Sequence, residues 1–136
     1  MSNVISKLPT WVRTNVFYRA KINNNSAEFV GGREKKEVPE RLANLVSSEI
    51  GEINGVKYHY PLLDIDFEAS LIPSSTPGHY HLYLKKPLKH EDYVALLRLL
   101  HKVDIVQNGI VRQIVEDGCT TLRLPHVKKG SKDDNE

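Results

Sequence analysis

Leu62-Leu63-Asp64-Ile65-Asp66-Phe67, then the turn chemistry of Ser74-Ser75-Thr76-Pro77-Gly78, then His79-Tyr80-His81-Leu82-Tyr83-Leu84: this is the most legible stretch of the chain. The first and third runs alternate apolar with polar or aromatic residues, which predicts two strands. Only about a dozen residues separate Asp66 from His79. A connection that short suits neighbouring antiparallel strands, because a parallel crossover usually carries a helix.

After this hairpin the period changes. Tyr93, Leu96, Leu97, Leu100 and Val103 fall on one helical stripe, with Glu91 and Asp92 in the first turn and His101 and Lys102 near the last. That charge placement complements the helix dipole. Ile110, Val111, Ile114 and Val115 suggest a second short helix, and Gly118 is placed to cap its C-terminus. Thr120 to Leu124 reads as a strand closed by Pro125. Cys119 reads as a small core residue without a chemical role.

Upstream of the hairpin, Val12 to Ile22 alternates imperfectly and is expected to form a strand. Asn23 to Glu40 reads as an exposed loop or hairpin, with Gly31-Gly32 and a charged run. Leu42 to Ile53 fits a strand with a turn or a short helix. The fold class that follows is α+β: an antiparallel sheet with helices packed on one face.

A length of 136 residues suits one domain, expected over residues 1–129, with a polar, disordered tail at 130–136. The single cysteine forbids an internal disulfide or a multi-cysteine zinc knuckle and suits a reducing compartment. No run has the ~18 apolar residues of a membrane helix, and the N-terminus has no signal-peptide core, so the expected setting is cytoplasmic. A formal charge of +2 does not by itself mark a nucleic-acid binder. The basic residues do collect locally, at Lys85, Lys86 and Lys89 and again at Arg123, Lys128 and Lys129, where phosphates could be met.

Residues two apart on a strand share a face. Asp64 and Asp66 would therefore share one face, and His79, His81 and Tyr83 would share a face of the next strand. If Tyr80, Leu82 and Leu84 pack beneath the helices, both polar sets emerge together on the open side. Two carboxylates at such range repel unless a cation lies between them. Mg²⁺ or Mn²⁺ suits a carboxylate pair that also meets substrate phosphates. A neighbouring histidine would contact a phosphate or move a proton. Ser74, Ser75 and Thr76 are turn residues whose hydroxyls and amides could also cup a phosphate. Arg123 and Lys128 are candidates for phosphate contact, with an ordinary ion pair as the competing role for Arg123. Each motif taken alone is commonly surface decoration, and only their combination points to chemistry. No Walker loop, Rossmann fingerprint or serine-triad signature is present.

Three short motifs, in order, resemble the archaeo-eukaryotic primase superfamily, in particular its primase-polymerase-like domains. They are Leu63-Asp64-Ile65-Asp66, then Ser75-Thr76-Pro77-Gly78-His79-Tyr80-His81-Leu82-Tyr83, then Leu122-Arg123-Leu124-Pro125 with Lys128. The likeness spans about Leu62 to Lys129. The Thr-Pro-Gly-His-Tyr-His-Leu-Tyr wording also resembles small proteins of actinobacterial phages. The resemblance implies an RRM-like sheet and a metal-dependent nucleotidyltransferase of DNA replication. Asp64 and Asp66 would hold the ion, with Asp104 the nearest match to a third carboxylate. His81 would contact the nucleotide, with His79 as the alternative by its spacing from Gly78. The family's zinc-binding module and helicase portion have no counterpart here, so the resemblance also admits a reduced, inactive relative. The competing expectation is a non-catalytic phage protein that binds nucleic acid, a nucleotide or a host protein. A small metal-dependent phosphoesterase is a third.

Overall fold

The computed structural model describes residues 7–21 and 34–127. The chain divides into two compact units, Met1–Asp64 and Ile65–Glu136. Its strands pair antiparallel, and two α-helices accompany them among the described residues. The α+β class expected from the periodicities is therefore what the protein has. Its strands are distributed over three small sheets rather than gathered into one.

In the first unit a 3₁₀ turn at Thr10–Thr14 precedes β1 (Phe17–Ala20), so the strand expected over Val12 to Ile22 is confined to its middle. β1 lies between β2 (Lys35–Glu37) and β3 (Leu45–Val46). The antiparallel pairing of β1 with β2 agrees with a hairpin between them, although residues 22–33 lie outside the described residues. Val12, Phe17 and Ala20 supply the buried apolar side chains. β3 has only two residues, and Asn44 completes its pairing. The Asn44 side chain accepts the Ala20 N–H at 3.0 Å and donates to the Ala20 carbonyl at 2.7 Å. One amide thus satisfies two backbone groups that the ladder would leave open. The segment that admitted either a strand or a helix resolves into β3, β4 (Glu49–Ile53) and, across a two-residue turn, β5 (Val56–His59). Asn54 and Gly55 form that turn with φ of 51° and 78°. Positive φ at both central residues is the hairpin geometry that matches strand twist, and Asn-Gly is its commonest wording.

In the second unit β6 (Ala69–Pro73) and β7 (Tyr80–Leu84) form a hairpin around residues 74–79. The Ser74 to Gly78 turn is where the sequence placed it. Its hydrogen bonds are local: Ser74 Oγ accepts the Thr76 N–H at 3.1 Å, and the Ser74 N–H donates to the His79 carbonyl at 2.9 Å. α1 (His90–Lys102) and α2 (Asn108–Asp117) follow closely where the helical stripe and the second apolar cluster predicted them. Leu97, Val111 and Ile114 are their shared core, with Tyr93, Val94 and Ile110 packed against it. Gly118 ends α2 at φ 79°, and its N–H donates to the Ile114 carbonyl at 3.0 Å. This is the left-handed cap that only glycine adopts without a side-chain penalty.

Four expectations change. The first strand of the central hairpin is Ala69–Pro73 and not Leu62 to Phe67, which is irregular, with a bend at Asp66 and Phe67. Pairing residues 69–73 with 80–84 leaves a six-residue connection, whereas the earlier register would require twice that, and short connections are favoured. Second, Thr120 to Leu124 is not a strand. It is pinned by helix side chains instead: Gln113 Nε2 donates to Thr121 Oγ1 at 2.6 Å, Gln113 Oε1 accepts the Thr121 N–H at 3.1 Å, and the Tyr93 and Thr120 hydroxyls are 2.7 Å apart. Third, the parity of β7 is reversed. Leu82 opposes Leu71, and both are exposed, at 56% and 63%, whereas Ile72 and His81 share the half-buried face. With β6 in its true register Ile72 gives the histidine face its apolar weight. Fourth, Cys119 is exposed and not a core residue.

Among the described residues no helix is long and apolar enough to cross a membrane.

Candidate functional site

The hairpin separates residues that strand parity was expected to unite. His81 sits on the rung of Ile72, while the Lys85 N–H donates to the Glu68 carbonyl at 2.9 Å at the open end of the ladder. Those two rungs are roughly 13 Å apart at about 3.3 Å per residue. Asp66 lies two residues before Glu68, exposed in a bend, and Asp64 is exposed in the irregular end of the first unit. Donors to one ion must come within roughly 5 Å of each other when each bond is about 2.0–2.6 Å. Among the described residues no three His, Cys, Asp or Glu side chains form a group that could hold a metal ion. The donor set implied for Mg²⁺ or Mn²⁺, Asp64 and Asp66 with Asp104, is not such a group among the described residues, and strand parity does not set His81 beside Asp66.

A different set does converge. The second unit contains an open cleft of about 880 Å³, lined by the β6–β7 turn, the α1–α2 connection, the first turn of α2 and the segment after Thr120. Ser75, His79, His81, Asp104 and Arg123 all line it. Its size falls in the range of small-molecule sites. Lys128 lies outside the described residues.

Each side is positioned by an identifiable local cause. Arg123 follows Thr120 and Thr121, which α1 and α2 hold through Tyr93 and Gln113. It forms no ion pair with a described carboxylate, so the ordinary role weighed for it is not taken among the described residues. Gln107, Asn108, Gly109 and Ile110 bring the N-terminal turn of α2 to the cleft. No side chain caps that helix start, and its first turn carries no acid. Uncapped N–H groups at a helix N-terminus favour an anion through both hydrogen bonding and the dipole.

The connection between α1 and α2 is acceptor-rich. The turn closing α1 has the double bond pattern of a Schellman motif: the Asp104 N–H donates to the His101 carbonyl at 3.0 Å and the Ile105 N–H to the Leu100 carbonyl at 2.8 Å. Asp104 occupies the left-handed position at φ 63° where glycine is usual. His101 Nδ1 lies 3.2 Å from the Val106 carbonyl. A carbonyl only accepts, so Nδ1 carries the proton, and Nε2 of the neutral ring is left as an acceptor. His101 and the α2 start were missed by sequence reasoning. The signal for His101 was its place in the last turn of α1, which had been read only as dipole compensation.

No family model, curated protein or solved structure matches the chain.

Proposed function

We propose that this protein is a nucleotide-binding module, the non-catalytic of the two leading readings of its sequence. The observation that carries the proposal is the convergence of Ser75, His79, His81 and Arg123 with the uncapped start of α2 on one cleft. A guanidinium without a described partner and a helix N-terminus supply charge and N–H donors for phosphate oxygens. Ile72, Ile105, Val106 and Leu122 supply apolar surface for a base. The primase-polymerase-like nucleotidyltransferase reading needs an ion on Asp64 and Asp66. Nucleotide binding through the cleft does not.

Calorimetric titration with ribonucleoside triphosphates in the presence of a chelator tests this. Saturable binding is expected, weakened about tenfold to a hundredfold by Arg123→Ala, the loss appropriate to one charge-assisted hydrogen-bonding group. Asp66→Ala is expected to leave the affinity unchanged. Equal affinities of the wild type and Arg123→Ala would end the proposal. Binding that needs Mg²⁺ or Mn²⁺ and disappears in Asp66→Ala would install the transferase reading in its place.

A further inference from the structure

We infer that the cleft takes up protons as it takes up a nucleotide, its three histidines making it cationic when the phosphates arrive. The inference rests on the nucleotide reading above and concerns residues that reading uses only as contacts. The titratable residues of the lining are His79, Tyr80 and His81 from the hairpin, His101 and Asp104 from the end of α1, and Arg123 from the segment after α2. Arg123 and Asp104 keep opposite charges through the neutral range, and they cancel. A phenol such as that of Tyr80 is uncharged there, whereas imidazole is the side chain that changes charge near neutrality. With its imidazoles neutral the lining therefore has no net side-chain charge, and with them protonated it has a positive excess. A triphosphate is complementary to the second state and not to the first.

Local structure leaves the three rings able to respond. Among the described residues no carboxylate forms an ion pair with any of them, so an arriving phosphate is their first such partner. His101 Nδ1 donates to the Val106 carbonyl at 3.2 Å, and a second proton goes to Nε2 without disturbing that bond. His79 is fixed by its backbone: its carbonyl accepts the Ser74 N–H at 2.9 Å, and its N–H donates to the Thr76 carbonyl at 3.1 Å. His81 is half-buried on the rung of Ile72. The coupling does not depend on where in the cleft the phosphates settle. A space of about 880 Å³ is only roughly 10 Å across, close to the Debye length at physiological salt, so each imidazolium acts on an anion throughout it. Linkage makes the effect reciprocal: whatever a bound proton adds to the affinity for the anion, the bound anion adds to the affinity for the proton.

Calorimetry on the full chain tests this, with each of the four ribonucleoside 5′-triphosphates and a chelator at about pH 7, repeated in buffers of different ionisation enthalpy. Net uptake of roughly one proton per ligand is expected, with affinity rising at least about tenfold from about pH 8 to about pH 6. The terminal phosphate of the ligand works with the opposite sign, because binding it fully ionised releases protons. Proton NMR then assigns the uptake. The titration midpoints of His79, His81 and His101 are expected to rise when the triphosphate is bound, and that of His90 to stay. His90 begins α1 and stands roughly 16 Å from His101 along the axis at about 1.5 Å per residue, beyond the Debye length. Saturable binding without uptake, or with release, overturns the inference and leaves the nucleotide reading standing. Uptake with the cleft midpoints unmoved also overturns it, since the protons then go elsewhere. Absence of binding by any triphosphate across that pH range removes both.

Discussion

The two units of this chain are fastened by different physics. Each buries three apolar side chains among the described residues, but the first, with Val12, Phe17 and Ala20, also ties its strands with polar side chains: Asn44 on both backbone groups of Ala20, Asn15 Nδ2 donating to the Ser47 carbonyl at 2.9 Å, and the Tyr18 hydroxyl donating to Glu49 at 2.7 Å. The second relies on an apolar helix pair, where Ile114 is 1% and Leu97 3% exposed. Hydrogen bonds trade partners with water and contribute modestly, while burial removes apolar surface from water outright. The clustered helix pair is therefore where the second unit is most vulnerable, and the first spreads part of its stability over several polar ties.

Substitutions can break this contrast. Ile114→Ala removes the most buried side chain of the helix pair and is expected to cost about 2–5 kcal/mol, the range for an aliphatic truncation that leaves a cavity. Chemical denaturation monitored by circular dichroism measures it, and a loss below about 1 kcal/mol would mean that the helix pair is not the anchor. Asn44→Ala removes two hydrogen bonds and leaves the Ala20 groups to water, with an expected cost of about 1–3 kcal/mol. A cost as large as that of Ile114→Ala would erase the distinction between the units.

The smallest effect is one of pH. The hydrogen bond from Tyr18 is the main cause holding the Glu49 carboxyl below its ordinary value of 4.5, helped by Lys57 and Lys35 and opposed by desolvation. The same bond, with desolvation and the charges of Glu49 and Glu37, raises Tyr18 above its ordinary 10.0. For the lowered glutamate, the stabilisation is complete above its unfolded value and is lost as pH falls through the folded one. For the raised tyrosine, it is complete below the unfolded value and is lost as pH rises through the folded one. Tyr18→Phe should therefore destabilise most on the plateau between 4.5 and 10.0, with the difference from wild type shrinking at both ends. Denaturation midpoints recorded from below 4.5 to above 10.0 check it, and a difference that grows on acidification contradicts the assignment. Both groups are partly exposed, so the effect is small.

Legibility in the sequence followed the same division. α1 and the cap at Gly118 could be read because helical periodicity is local and the stripe of Tyr93, Leu97 and Leu100 meets a partner a few residues on. The strand with Ala69 to Pro73 could not. Leu62 to Phe67 alternates more cleanly, but pairing is settled by loop length and by which face finds apolar company, and neither is visible in a single run. Asn54-Gly55 is the opposite case, a turn signal present in the residues and left unused. Thr120 to Leu124 looks like a strand because its residues favour extended backbone, but a glutamine and a tyrosine of the helices hold it in place of a neighbouring strand. The candidate site divides in the same way. His79, His81 and Arg123 were selected for phosphate contact and do line one cleft, yet Asp64 and Asp66 were grouped with them through a strand that does not form. Asp104 was selected for a metal and sits in the cleft with them.

The chain contains one thiol, and it stands in the open where α2 passes into the segment bearing Arg123. A maleimide dye would thus have a single address, just before the threonines tethered by Tyr93 and Gln113. Fluorescence from that position would follow the tether itself, showing whether it slackens or tightens as the cleft fills.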